Sequence, residues 1–300
     1  MIPFEKLDLS RKAEYERILQ HSGQRGCEYS FVNLYLWGRQ KAAFLDGCLV
    51  LFSHFRGKSL YPFPVGGGDL GAVVDAVIHD ARMRGIPCRF SGLTQSDREL
   101  LERLYPGRFH FHFNRDAYDY LYAIDDLADM KGRKFQKKRN HVNRFRENNP
   151  DWSVQPLTAE NMEAAKQMVC QWFQGREDQR DYRLEKIALE RAFSHYAELE
   201  LEGLMLTAGG RVLGVTIGSR LNGDTFDIHF EKAQEDVDGA YPAIARAFAE
   251  YLREKYPQIR YLNREDDMGI EGLRKSKLSY HPVLLIEKSA ALLQEEEDAV

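Results

Sequence analysis

Two short stretches of the chain gather residues able to move protons and hold charge. Residues 225–231 alternate apolar and polar side chains, the pattern of a strand. Phe226, Ile228 and Phe230 share one face; Thr225, Asp227, His229 and Glu231 share the other. Carboxylates and an imidazole on one strand face can serve as general bases or acids. A half-buried strand with a polar outer face accounts for the same alternation without any chemistry.

The second stretch runs from Tyr261 to His281. Residues 259–262 read as a strand that ends in Arg264, Glu265, Asp266 and Asp267. Met268-Gly269 breaks it, residues 269–278 have helical spacing, and residues 282–286 read as another strand. Burying even one unpaired charge is costly, so such a cluster suits a site better than a scaffold. In open α/β sheets, sites lie at the carboxyl ends of strands. An acidic cluster before a helix also favours the helix dipole, and the two roles are compatible. On the helix, Arg274 and Lys277 are i,i+3 neighbours and Lys275 lies between them. They form either a solvated face or a face that binds phosphate or carboxylate.

A third charged stretch, residues 131–146, holds eight Lys or Arg and no acid. Phe135, Val142 and Phe145 could give it one apolar helical stripe. Its cations, Lys134, Lys137, Lys138, Arg139 and Arg144 among them, fit a solvated linker, a tRNA or phosphate contact, or an anionic membrane surface.

Two weaker patterns carry less. Gly66-Gly-Gly-Asp-Leu-Gly71 fits G-x-G-x-x-G, but residues 88–91 end in no acid, so a dinucleotide is rejected. His110 and His112 share a strand face with no third ligand nearby in sequence, so an ordinary strand is expected and no metal.

The 300 residues allow two ordinary domains. A hydrophobic share of 43% and a charged share of 29% are those of a soluble globular protein. No apolar run is long enough to span a membrane, and the first residues do not read as a secretory signal. Cys27, Cys48, Cys88 and Cys170 are widely spaced, which points to free thiols and a cytoplasmic setting. A net charge of -4 argues against wholesale coating of nucleic acid.

These stretches need a scaffold, and the element order supplies one twice. Each half reads β-α-α-β-β-β-α-β-α-β, with hairpin signals at Asp46-Gly47 and Gly209-Gly210. The expected division is 1–130, a basic connecting helix at 131–150, a second domain at 151–290 with the principal site, and an acidic tail at 291–300.

That order resembles the Gcn5-related N-acetyltransferase fold used twice, an α/β (α+β) arrangement of mixed sheets flanked by helices. Lys134-Phe-Gln-Lys-Lys-Arg-Asn140, Phe230-Glu-Lys232 and the run from Asn263 to Lys277 resemble the C-terminal domain of bacterial phosphatidylglycerol lysyltransferases. Fem-type peptidyltransferases share the tandem architecture. The resemblance implies acyl transfer, first of an aminoacyl group from aminoacyl-tRNA to an amine or hydroxyl acceptor by direct attack. One alternative is a coenzyme A-dependent N-acetyltransferase with acyl-coenzyme A as donor; the other is a non-catalytic module that binds tRNA, peptide or anionic lipid. Acyl transfer to an amine needs a base, for which Glu231 is the first choice, His229 the second, and Asp227 a neighbour on the same face. Asn263, Arg264, Glu265, Asp266, Asp267, Arg274, Lys275 and Lys277 become substrate-binding candidates. Asp266 and Asp267 would hold the ammonium of a cationic aminoacyl group, in a pocket shared with Glu231. Acetyl-coenzyme A users cradle the pyrophosphate in the loop before the long helix. The matching loop here, residues 234–240, has one glycine and three acids, which would repel it.

Overall fold

Both hairpin signals fall where the chain turns back. Strands Gln40–Leu45 and Cys48–Phe55 pair antiparallel across Asp46 (φ 47°) and Gly47 (φ 69°). Strands Glu202–Ala208 and Arg211–Arg220 pair across Gly209 (φ 59°) and Gly210 (φ 70°). Two successive residues at positive φ give the turn whose twist matches that of the strands it joins. The computed structural model describes residues 1–55, 57–176 and 180–294.

Two mixed sheets result. In spatial order the first runs Glu5–Lys6, Gln40–Leu45, Cys48–Phe55, Lys58–Pro62, Arg89–Leu93, Ser289–Leu293, Phe109–Phe113. The second runs Ser153–Pro156, Glu202–Ala208, Arg211–Arg220, Thr225–Ala233, Tyr261–Asn263, Asp119–Ala123, Leu284–Ile286. Each holds a parallel pair, Lys58–Pro62 with Arg89–Leu93 and Thr225–Ala233 with Tyr261–Asn263. A parallel pair needs a crossover, supplied by helices Leu70–Arg84 and Ala240–Lys255 respectively. The sequence repeat is therefore a repeat of topology.

The sixth strand of each sheet comes from the other half of the chain. Ser289–Leu293 lies between two first-half strands, and Asp119–Ala123 lies between two second-half strands. The two compact units are accordingly Met1–Asp119 with Asp266–Ile270 and the chain from Ile286, and Tyr120–Glu265 with Glu271–Leu285. The division thus differs from the expected one at 130 and 151. Residues 291–293, expected in the tail, are strand because backbone groups on both sides bond to them. The acidic run Glu295 to Asp298 lies outside the described residues.

The basic stretch is not a bare connector. Its helix Gln136–Asn148 buries Val142 and Phe145 within the second unit. Val142 joins the cluster of Phe226, Ile228, Phe248 and Leu252, and Phe145 packs with Ala240 and Ile244. The apolar face foreseen for residues 225–231 supplies that core, with Phe226 edge-on to Phe248 at 5.9 Å. Burying one such side chain stabilises by about 1.5–3 kcal/mol. Among the described residues, no helix is long and apolar enough to cross a membrane.

Candidate functional site

The parallel pair in the second unit is short. Thr225–Ala233 meets Tyr261–Asn263 only at Thr225–Tyr261, Phe226–Leu262 and Asp227–Asn263. Past Asn263 the chain follows Asp119–Ala123 instead, with Arg264 N donating to Tyr120 O at 3.0 Å. The two strands therefore part, and the Arg264 side chain bridges the gap. Its Nη2 donates to Glu231 Oε1 at 2.6 Å, with the two side chains 13% and 9% exposed. Glu231 Oε2 and Arg264 Nη1 are also buried, and neither has a hydrogen-bond partner among the described residues.

Three further side chains complete this cluster. The Arg264 guanidinium lies 4.8 Å from the Tyr280 ring centroid and 5.7 Å from that of Tyr122. Lys138 Nζ lies 3.8 Å from the Tyr280 centroid. Burial lowers the Lys138 amine to about 8, the Arg264 charge adds to the shift, and Glu231 opposes it. Burial works most strongly against the charge on Arg264, but Glu231, Tyr122 and Tyr280 together outweigh it and hold the guanidinium protonated. Burial pushes the Tyr122 and Tyr280 hydroxyls up.

Local geometry explains why Arg264 points this way. Glu265 sits in the left-handed region at φ 53°, a costly conformation for a residue with a side chain. Asn263 Oδ1 accepts from the Glu265 amide at 2.7 Å, and Lys277 Nζ donates to the Arg264 and Glu265 carbonyls. Tyr122 in turn donates to the Lys277 carbonyl at 2.8 Å. Asn263 and Lys277, foreseen as substrate ligands, thus hold the turn that aims Arg264 and Glu265.

Beside this cluster lies a second one. Ser219 Oγ is 2.9 Å from His229 Nε2. His229 Nδ1 lies 3.3 Å from Glu265 Oε1 and 3.5 Å from Asp227 Oδ2. Asp227 is fully buried and His229 nearly so. The three ligand atoms of Asp227, His229 and Glu265 lie within 4.8 Å of one another, a set able to hold a divalent cation where sequence spacing suggested none. Cys27, Glu28 and Asp119 make a similar group in the first unit, but there the Lys288 ammonium already lies 2.6 Å from each carboxylate.

The remaining candidates scatter. Asp266 and Asp267 belong to the first unit. Asp267 accepts from the Gly269 amide at 2.9 Å and pairs with Arg115 at 3.4 Å. On helix Glu271–Leu278, Arg274 is half-buried and Lys275 exposed. In the basic stretch Lys134 pairs with Asp126 and Arg144 with Asp238, while Arg139 donates to the Met130 and Gly132 carbonyls. Lys137 is exposed.

Both glycine loops are shaped by packing. Asp238 binds His141 and Arg144, and Glu235 binds Arg176. Gly239 starts the long helix at φ 83°, where a Cβ would come 2.3 Å from the His141 carbonyl. In the first unit, a Cβ on Gly68 would lie 1.6 Å from the Asp46 carbonyl, and Asp69 caps the Gly71 and Ala72 amides. A cavity of about 510 Å³ there is lined by Arg11, Arg17, His21, Gly66 and Gly67. His110 and His112 are exposed on Phe109–Phe113.

Sequence reasoning passed over Tyr122, Tyr280 and Ser219, and placed Lys138 on a polyanion face. Ser219 was signalled by its own apolar strand, where only the hydroxyls of Thr216 and Ser219 interrupt the pattern between the terminal arginines.

The family model described as phosphatidylglycerol lysyltransferase, C-terminal, matches residues 19–292. The chain belongs to that family. A solved conserved protein of unknown function from Bacteroides thetaiotaomicron VPI-5482 is 37% identical, with a TM-score of 0.93 over 98% of this chain and 100% of that one. L-PGS from Bacillus licheniformis gives a TM-score of 0.70 at 15% identity, over 98% of this chain and 94% of its own. FemX gives 0.64 at 10% identity, over 98% of each chain. The tandem acetyltransferase-like fold expected from the sequence is that of these neighbours. An uncharacterized protein of Mycoplasmoides gallisepticum is 26% identical over 174 residues, 57% of this chain. That stretch spans 54% of the relative, about half its length.

Proposed function

We propose that the second unit transfers an aminoacyl group from aminoacyl-tRNA to an amine or hydroxyl by direct attack. Glu231 takes the proton of the attacking atom, and Arg264 donates to the carbonyl oxygen as charge develops there. The observation that carries this is the pair of buried, unpartnered atoms, Glu231 Oε2 and Arg264 Nη1. Leaving a buried donor or acceptor unsatisfied costs about 1–3 kcal/mol each. An attack on an ester satisfies both at once. The nucleophile's N–H or O–H faces the carboxylate, and the carbonyl oxygen faces the guanidinium. Donors placed where an oxyanion forms are worth about 10²–10³ in rate.

The family's description supports an aminoacyl donor. A coenzyme A donor fits the second unit poorly. Backbone of the basic helix crowds Gly239, where a pyrophosphate would approach the helix start, and Asp238 is the charge beside it. The test supplies tRNA charged with radiolabelled amino acids, together with phospholipids and amines as acceptors. Label leaving tRNA in an enzyme-dependent manner, and lost in Glu231→Gln, is expected. Calorimetric binding of coenzyme A without aminoacyl transfer would overturn the reading.

A further inference from the structure

We infer that Lys138 is a catalytic residue of this site, the acid that protonates the leaving oxygen of the donor ester. The inference rests on the aminoacyl-transfer reading and adds the one proton that reading leaves unassigned.

Direct attack forms a bond from the acceptor nitrogen or oxygen to the carbonyl carbon and breaks the bond from that carbon to the donor's ribose oxygen. Two protons move. The acceptor's goes to Glu231 Oε2. The leaving oxygen departs as an alkoxide unless an acid supplies another, and an alkoxide is a poor leaving group. Arg264 cannot supply it, because a guanidinium does not deprotonate in proteins. The hydroxyls of Tyr122 and Tyr280 are pushed up by burial. Lys138 is the remaining donor in the cluster.

Its placement fits that task. Lys138 and Arg264 approach the same Tyr280 ring, at 3.8 Å and 4.8 Å. Their charge is opposed by one carboxylate, Glu231. Two cations against one anion leave a single positive charge in excess in a poorly solvated space. Such an excess is costly at rest and is relieved when negative charge appears, as it does on the carbonyl and leaving oxygens. Lys138 is half-buried, so its amine reaches both the cluster and an incoming ligand. Burial lowers that amine to about 8, close enough to neutrality for it to give and regain a proton readily. After turnover Glu231 holds one proton too many and Lys138 one too few, and exchange with water restores both.

The groups that set the Lys138 equilibrium are Arg264 beyond strand Tyr261–Asn263, Glu231 on strand Thr225–Ala233, and Tyr280 beyond helix Glu271–Leu278. The acid form is required, so transfer falls as pH rises through about 8.

The experiment measures release of label from charged tRNA against pH for wild type, Lys138→Met and Lys138→Arg, each checked by circular dichroism. Lys138→Met is expected to lose about 10²–10⁴-fold, the usual contribution of a positioned acid. Lys138→Arg keeps the positive charge at every pH but donates no proton. A residue that acts only as a cation would be rescued by it, with the alkaline fall removed. A proton donor is not rescued, and Lys138→Arg is expected to be as slow as Lys138→Met. Full activity in either variant overturns the role of Lys138 while leaving aminoacyl transfer standing. A wild type that transfers from no charged tRNA overturns the underlying reading, and the two failures are thereby distinct.

Discussion

Lys288 Nζ lies 2.6 Å from Asp119 Oδ1. Asp119 begins the strand that the first half gives to the second sheet. Lys288 immediately precedes the strand that the end of the chain gives to the first sheet. Glu28 adds a second carboxylate at 2.6 Å, and the Cys27 amide donates to Asp119 Oδ2 at 2.7 Å. One buried ammonium thus fixes where both exchanged strands begin. Removing one partner of a buried pair costs about 3–5 kcal/mol because the other charge stays buried. Lys288→Met should lower stability by that amount in urea unfolding. Adding Asp119→Asn and Glu28→Gln to it should restore part of the loss. A Lys288→Met protein as stable as wild type would show that the cluster does not hold the exchange.

Glu231→Gln keeps the size of the side chain and the contact to Arg264 but removes the base. Turnover should fall by about 10²–10⁴-fold. Because Gln also removes the charge that offsets Arg264, the unfolding midpoint should fall too, but by less than in Glu231→Ala, which loses the hydrogen bond to the buried guanidinium as well. Glu231→Ala should cost about 3–5 kcal/mol of stability as well as activity. Equal stability of the two variants would contradict the buried pairing.

How much of this was legible in the sequence depends on range. Alternation in residues 225–231 and the turn residues at Asp46-Gly47 and Gly209-Gly210 are local signals; the first marked the strand that carries Glu231 and the others a hairpin in each unit. The strand exchange has no local signal. Ser289-Ala-Ala-Leu-Leu293 contains no β-branched residue, and it is a strand because two neighbours bond to it. The site shows the same limit. Glu231 and Arg264 stood out as charges at strand ends. Tyr122, Lys138 and Tyr280 come from three separate stretches, and only packing brings them to one guanidinium. Lys138 looked like one cation among eight because burial, which singles it out, is not written in spacing.

Gly239 makes a steric prediction. It takes φ 83°, and a Cβ there would meet the His141 carbonyl at 2.3 Å and the Phe145 Cβ at 2.9 Å. The carbonyl is helix backbone and cannot swing aside. Gly239→Ala should therefore lose about 1–3 kcal/mol from strain alone, measured by denaturant unfolding. Gly223→Ala, where nothing lies within 4 Å of the added carbon, is the control and should be nearly neutral. Comparable losses in both would remove the packing explanation.

Acid should weaken the first unit through Asp80. This carboxylate is fully buried. It accepts from the Ile2 amide at 2.7 Å, the Tyr61 hydroxyl at 2.8 Å and Arg84 Nε at 2.6 Å. Burial pushes its pKa up, but the Arg84, Ile2 and Tyr61 bonds together outweigh burial and hold it below the ordinary value. A carboxylate depressed by folding adds stability that is present above its unfolded pKa of about 3.9 and is lost as pH falls through the folded value. Asp80→Asn lacks that charge at every pH. It should be less stable than wild type at pH 7 by about 1–3 kcal/mol. The gap should close as pH drops below about 4, where wild type loses the same contribution. Urea unfolding of both proteins across this range decides the matter. A gap that stays constant down to acid pH would mean that Asp80 stabilises by shape and not by charge.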